Sequence, residues 1–78
     1  MNACQLTRLD TELRVAIREA LRGGEYYTDA SRVLYSDYCA NGGTATYADI
    51  RRDEAAQIGI VLDSLGNIMG SVDPKVVR

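Results

Sequence analysis

The run Ala55–Met69 limits what this chain can become more than any other stretch. Ala55, Ile58, Leu62, Leu65 and Met69 recur at alternating steps of three and four. In a helix of 3.6 residues per turn, that spacing gathers the side chains into one apolar stripe. The run therefore predicts a helix, with the rest of the chain packed against it. Upstream, Thr46-x-x-Asp49 is a cap signal, and Tyr47, Ile50, Glu54 and Ile58 carry the same period back to its start. Gly59 sits four residues after Ala55. Small residues at that spacing let a second helix approach closely, although a glycine inside a helix costs about 1 kcal/mol of propensity. Gly66 or Gly70 ends the predicted helix, and the choice decides whether Ile68 and Met69 belong to it.

A second amphipathic pattern opens the chain. Leu6, Leu9, Leu13, Ala16, Ile17 and Ala20 again recur at steps of three and four, which predicts a helix over residues 3–22. Asn2 with Gln5 can cap its start, as can Thr7 or Thr11, and Gly23-Gly24 stops it. Asp10, Arg14, Arg18 and Arg22 climb its outer face at successive i, i+4 positions, with the cations toward the C-terminal end that favours them.

Two readings compete between Glu25 and Asn41. Thr28-Asp29 can cap a short helix with Ala30, Val33, Leu34 and Tyr38 on one side, stopped by Asn41-Gly42-Gly43. The alternative is a β-hairpin turning at Asn41-Gly42. Polar and apolar residues alternate irregularly from Arg32 to Ala40, and this favours the helix. The expected fold is thus all-α, a small helical bundle in which two long amphipathic helices flank a short helix. The alternative is α+β, with a β-hairpin around residues 32–48. The long helices are expected to pack antiparallel, Leu6, Leu9, Leu13 and Ile17 against Ile58, Leu62 and Leu65. The 78 residues make one small domain, with 71–78 as a frayed tail after Asp73-Pro74.

A chain this short is marginal alone, and it has no disulfide lattice to compensate. Gly59, Ile60, Val61 and Ile68 widen the apolar face of the last predicted helix, so they are the expected interface of a homodimer. There is no histidine, and Cys4 and Cys39 form no CxxC pair. Neither a metal site nor a cofactor is expected. A general base near neutral pH has no ready donor, Cys39 has no neighbouring base, and Asp10/Glu12 and Asp53/Glu54 do not share a helical face at catalytic spacing, so no enzymatic activity is expected. Gly23-Gly24 is no phosphate loop, because no Lys-Ser/Thr follows. No apolar run reaches the roughly 20 residues that span a bilayer, and no signal peptide opens the chain. A soluble cytoplasmic protein is the expectation.

Two groups of residues stand out as contact candidates. All five aromatic residues are tyrosines between residues 26 and 47. Tyr26, Tyr27, Tyr35, Tyr38 and Tyr47 keep company with Glu25, Asp29, Asp37 and Asp49 against a single cation, Arg32. Tyrosine pairs an apolar body with a polar tip, which suits a protein contact, and the acidic surroundings favour a basic partner. Tyr26, Tyr27, Asp29, Tyr35, Asp37, Tyr38 and Tyr47 are therefore the expected partner-binding residues. The alternative site is Arg14, Arg18, Arg22, Arg51 and Arg52, which could converge to pair with phosphate while tyrosines stack on a base. The net charge of −2 does not advertise nucleic acid. The sequence thus predicts a non-enzymatic interaction module that binds and modulates, in the first instance inhibits, a larger protein partner. Proteins of this size and composition are common among regulators carried by phages and mobile elements. A nucleotide or nucleic-acid binder and a structural oligomerisation module are the alternatives.

Overall fold

A computed structural model describes residues 3–71. The order of elements is α1 (Ala3–Arg22), α2 (Asp29–Ala40), α3 (Tyr47–Ile58), β1 (Ile60–Leu62) and β2 (Ile68–Ser71). Among the described residues the protein is mostly helical, with a small two-stranded antiparallel hairpin after α3. The cap expected at Asn2 and the tail beyond Ser71 lie outside the described residues. Among the described residues, no helix is long and apolar enough to cross a membrane.

Helix α1 spans the predicted range and turns Leu13, Ala16, Ile17, Ala20 and Leu21 into the core. It closes as its glycine pair requires. The Glu25 N–H donates to the Ala20 carbonyl at 2.9 Å and the Gly24 N–H to the Leu21 carbonyl at 3.1 Å. These are the two crossed bonds that satisfy the last carbonyls of a helix. Helix α2 ends by the same device, Gly43 N–H to Tyr38 carbonyl and Gly42 N–H to Cys39 carbonyl. Its start is a reciprocal cap. Thr28 Oγ1 accepts the Ser31 N–H at 3.1 Å, and Ser31 Oγ accepts the Thr28 N–H at 2.9 Å. Residues 29–40 are therefore helical. The inward face is Ser31, Leu34, Tyr35 and Tyr38, while Ala30 and Val33, expected inside, point outward.

The hairpin lies at residues 60–71, not around residues 32–48, and it replaces the second half of the predicted last helix. Helix α3 starts as read, with Thr46 Oγ1 accepting the Asp49 N–H at 3.1 Å. It stops at Gly59, whose φ of 77° is left-handed, a conformation that ends a helix and that glycine alone adopts at little cost. Ile60-Val61-Leu62 then runs as a strand, as its β-branched residues favour. Asp63 organises the turn, its Oδ1 accepting the Leu65 and Asn67 N–H groups at 2.9 Å each. Gly66, with φ 88°, completes it through Gly66 N–H to Asp63 carbonyl at 3.0 Å.

The pairing sets Ile60 opposite Ser71, Val61 opposite Gly70 and Leu62 opposite Ile68, so a bulge leaves Met69 without a cross-strand mate. A period of two now decides the faces. Ile60, Leu62 and Ile68 pack on the core, whereas Leu65 and Met69, expected in the helical stripe, are 82% and 68% exposed. The expected packing of α1 against Leu62 and Leu65 of one long helix does not form, because α3 ends at Ile58; α1 instead meets α3 through Arg14 on Asp53 and Glu54 and Arg18 on Glu54.

Candidate interaction surface

The tyrosines form one connected cluster, and Tyr47 is its hub. Its ring lies 5.5 Å from that of Tyr26, 4.6 Å from Tyr27 and 5.5 Å from Tyr35, within the range where aromatic pairs attract. Its hydroxyl donates to the Tyr26 carbonyl at 2.7 Å and lies 3.0 Å from Ser31 Oγ. Burial lifts this hydroxyl above its ordinary pKa of 10.0, partly offset by the Ser31 bond. Tyr35 and Tyr38 hold the α2–α3 connection between them. The Tyr35 hydroxyl donates to the Ala45 carbonyl, and the Ala45 N–H donates to the Tyr38 hydroxyl, each at 3.2 Å. The Tyr35 hydroxyl is likewise raised, first by the neighbouring Cys39 thiol and then by burial.

The expected partner-binding set therefore divides. Tyr38 and Tyr47 are buried and serve the fold, and Tyr35 is half-buried. Tyr26 and Tyr27 are exposed, as are Asp29 and Asp37. Tyr27 joins Arg32, Tyr35, Ser36 and Cys39 around an open groove of about 700 Å³ along α2. Val33, 61% exposed, stands beside it in a shallower depression with Asp29, Arg32 and Ser36. An aromatic wall, an aliphatic side chain and carboxylates thus share one helical surface.

The arginines of the alternative site do not gather into one place. The Arg14 Nη1 donates to Asp53 at 2.6 Å and to Glu54 at 2.8 Å, while its Nε reaches Asp10 at 3.3 Å. The Arg18 Nε donates to the other Glu54 oxygen at 2.5 Å. The bond to Glu54 is the first cause holding Arg14 more firmly protonated than an ordinary arginine. Glu54, only 1% exposed, is a buried carboxylate closed on by two cations. Arg51 is buried elsewhere. Its guanidinium carbon lies 4.2 Å from the Tyr26 ring centroid and its Nη1 donates to the Gly66 carbonyl, which ties the hairpin turn to the α1–α2 connection. Arg22 and Arg52 are exposed on two different grooves.

Two residues that matter were not singled out. Ser31 is fully buried between Thr28 and Tyr47, and its signal was the Thr28-x-x-Ser31 spacing. Glu54 announced itself as a carboxylate within an apolar stripe, and Arg14 and Arg18 on α1 were its complement. The chain matches no family model, no curated protein and no solved structure.

Proposed function

We propose that this chain is a non-enzymatic interaction module that binds a larger protein through the outward surface of α2 and the preceding Tyr26-Tyr27, and modulates that partner's activity. The observation that carries the reading is the composition of this surface. Val33 is 61% exposed, Tyr27 is 50% exposed although one side of its ring packs on Tyr47, and the sequence from residue 25 to 41 carries Glu25, Asp29 and Asp37 against the single cation Arg32. Exposed aromatic and aliphatic side chains in a segment with more carboxylates than cations suit a partner with a basic rim around an apolar centre. The nucleotide reading draws less support. Arg14, Arg18 and Arg51 are already engaged by Glu54, Asp53, Tyr26 and the Gly66 carbonyl. Freeing them for phosphate would leave Glu54 buried without a cation, a costly outcome.

The test uses Tyr27→Ser combined with Val33→Ser, because Tyr35 and Tyr38 anchor the Ala45 backbone and their loss would confound binding with folding. The tagged chain and the double variant are exposed to a lysate of the host, and captured species are weighed by native mass spectrometry at low and high salt. A protein held by the parent chain and lost from the folded double variant is the expected result. Equal capture by both, or a nucleotide-sized adduct in place of a protein, would overturn the proposal.

A further inference from the structure

We propose that the groove along α2 lined by Tyr27, Arg32, Tyr35, Ser36 and Cys39 binds a small aromatic carboxylate, its carboxylate on the Arg32 guanidinium and its ring against the two tyrosines. A volume of about 700 Å³ falls within the range of small-molecule sites, and aromatic walls with a few polar groups are their usual lining. The walls are fixed by the fold itself. Tyr27 and Tyr35 each pack on the buried Tyr47 ring, at 4.6 and 5.5 Å between centroids. The Tyr35 hydroxyl is held by the Ala45 carbonyl at 3.2 Å. A bound ring therefore orders little of the protein, which lowers the cost of binding.

Arg32 is the part of this groove that the fold does not use. Among the described residues its guanidinium forms no ion pair and no hydrogen bond. Arg14 and Arg18 are spent on Glu54, and Arg51 on the Tyr26 ring and the Gly66 carbonyl. Arg22 and Arg52 border grooves lined mainly by aliphatic side chains. Arg32 is thus where an idle guanidinium adjoins tyrosine rings. Ser36 and Cys39 follow it on the same helix face, one turn after another. The residues expected to form a homodimer face make no comparable site. Gly59 caps α3, Ile60 and Ile68 face their own core, and of the four only Val61 is exposed.

Charge and shape choose the ligand class. A guanidinium pairs with a planar carboxylate through two parallel hydrogen bonds. One cation balances one negative charge. A phosphate monoester carries nearly two, and Asp29, which shares the adjoining depression with Arg32, Val33 and Ser36, would repel the excess. The rings favour a planar aromatic body over an aliphatic one, because aromatic pairs attract beyond the area they bury. This site uses residues of the surface assigned above to a protein partner, but it needs no protein, so the two readings can fail separately.

Amide correlation spectra of the full chain, titrated with 2-naphthoate, test this. The Arg32, Ser36 and Cys39 amides should shift and saturate with a dissociation constant of about 0.1–1 mM. The neutral 2-naphthamide and the non-aromatic cyclohexanecarboxylate should each bind about fivefold or more weakly, and inorganic phosphate should shift none of these amides. Arg32→Gln, at an exposed position, should raise the dissociation constant about tenfold with unchanged circular dichroism. Saturating 2-naphthoate should also slow alkylation of Cys39 by iodoacetamide in the parent chain. No saturation below about 10 mM, equal binding of the amide, or an unchanged constant in Arg32→Gln would overturn the proposal. So would shifts that centre instead on Leu21, Ile58 and Ile68.

Discussion

Replacing Glu54 by glutamine probes the joint between α1 and α3 with little change of shape. Glu54 accepts one bond from Arg14 and one from Arg18, at 2.8 and 2.5 Å. Hydrogen bonds to charged groups contribute about 1.5–3 kcal/mol each. Glutamine keeps one acceptor oxygen but turns its NH₂ toward the other guanidinium, so one bond weakens and the other becomes a donor facing a donor. Two features reduce the loss. The arginine side chains keep 29% and 36% of their surface in water, and Arg14 retains Asp10 and Asp53. Arg18, which has no other ion pair among the described residues, bears most of the change. The expected destabilisation is about 2 kcal/mol by these bond values, or about 10 °C in Tm for a chain of this size. Urea unfolding of Glu54→Gln, Arg18→Gln and the double variant measures both the loss and the coupling, which should exceed about 1 kcal/mol for residues in one network. A loss below about 0.5 kcal/mol, the range of ordinary surface substitutions, with additive single effects would refute the assignment of Glu54 as the joint's anchor.

Gly43→Ala should cost about 1–3 kcal/mol in urea unfolding, because the added carbon would collide with the buried Tyr38 ring that fixes Ala45. Tyr47→Phe should cost about 1–2 kcal/mol by the same assay, since the Tyr26 carbonyl loses its donor while ring packing survives. The raised pKa values of Tyr35 and Tyr47 make their stabilisation complete below the ordinary value of 10.0 and lost as pH climbs past it. Alkaline titration followed by tyrosinate absorbance should show two tyrosines ionising late, as the fold loosens. Asp63 has the opposite sign. The Asn67 and Leu65 amides hold its carboxyl below the ordinary 3.8, so its contribution is full above that value and fades as pH falls through the lowered one. Amide shifts of Leu65 and Asn67 should report this titration, and Asp63→Asn should abolish it.

Local rules were legible where one physical signal stood alone. The α1 stripe with its glycine pair, the cap at Thr28 and the cap at Thr46 all specified what formed. The error at Gly59 arose because two periods overlapped. Ile58, Leu62, Leu65 and Met69 satisfy a helical stripe, yet Ile60, Leu62 and Ile68 equally satisfy two strands flanking Asp63-Ser64-Leu65-Gly66-Asn67. The deciding terms were local: a left-handed glycine at the end of α3, and a turn that satisfies its amides with its own carboxylate. Asn41-Gly42, the stronger-looking hairpin signal, instead closed a helix, because the preceding residues could bury Ser31, Leu34 and Tyr38 on one face.

The candidate surface was legible in composition and illegible in assignment, for one physical reason. This chain has neither Phe nor Trp, so tyrosine must supply all the aromatic packing of a small core. A buried tyrosine needs a partner for its hydroxyl, and Tyr35, Tyr38 and Tyr47 find theirs in the Ala45 backbone, the Tyr26 carbonyl and Ser31. A cluster that looks like a contact surface in sequence is therefore partly a set of loop anchors. The surplus carries the functional argument. The packing of Tyr47 employs one flank of the Tyr26-Tyr27 pair, while Tyr27 also lines the open groove with Arg32 and Ser36. An interface built there rests on a rigid support, because the residues behind it are the same ones that lock both connections of α2. Substitution at Val33 should consequently separate binding from stability, substitution at Tyr27 should add the modest loss of its ring contact with Tyr47, and substitutions at Tyr35, Tyr38 or Tyr47 should not separate the two.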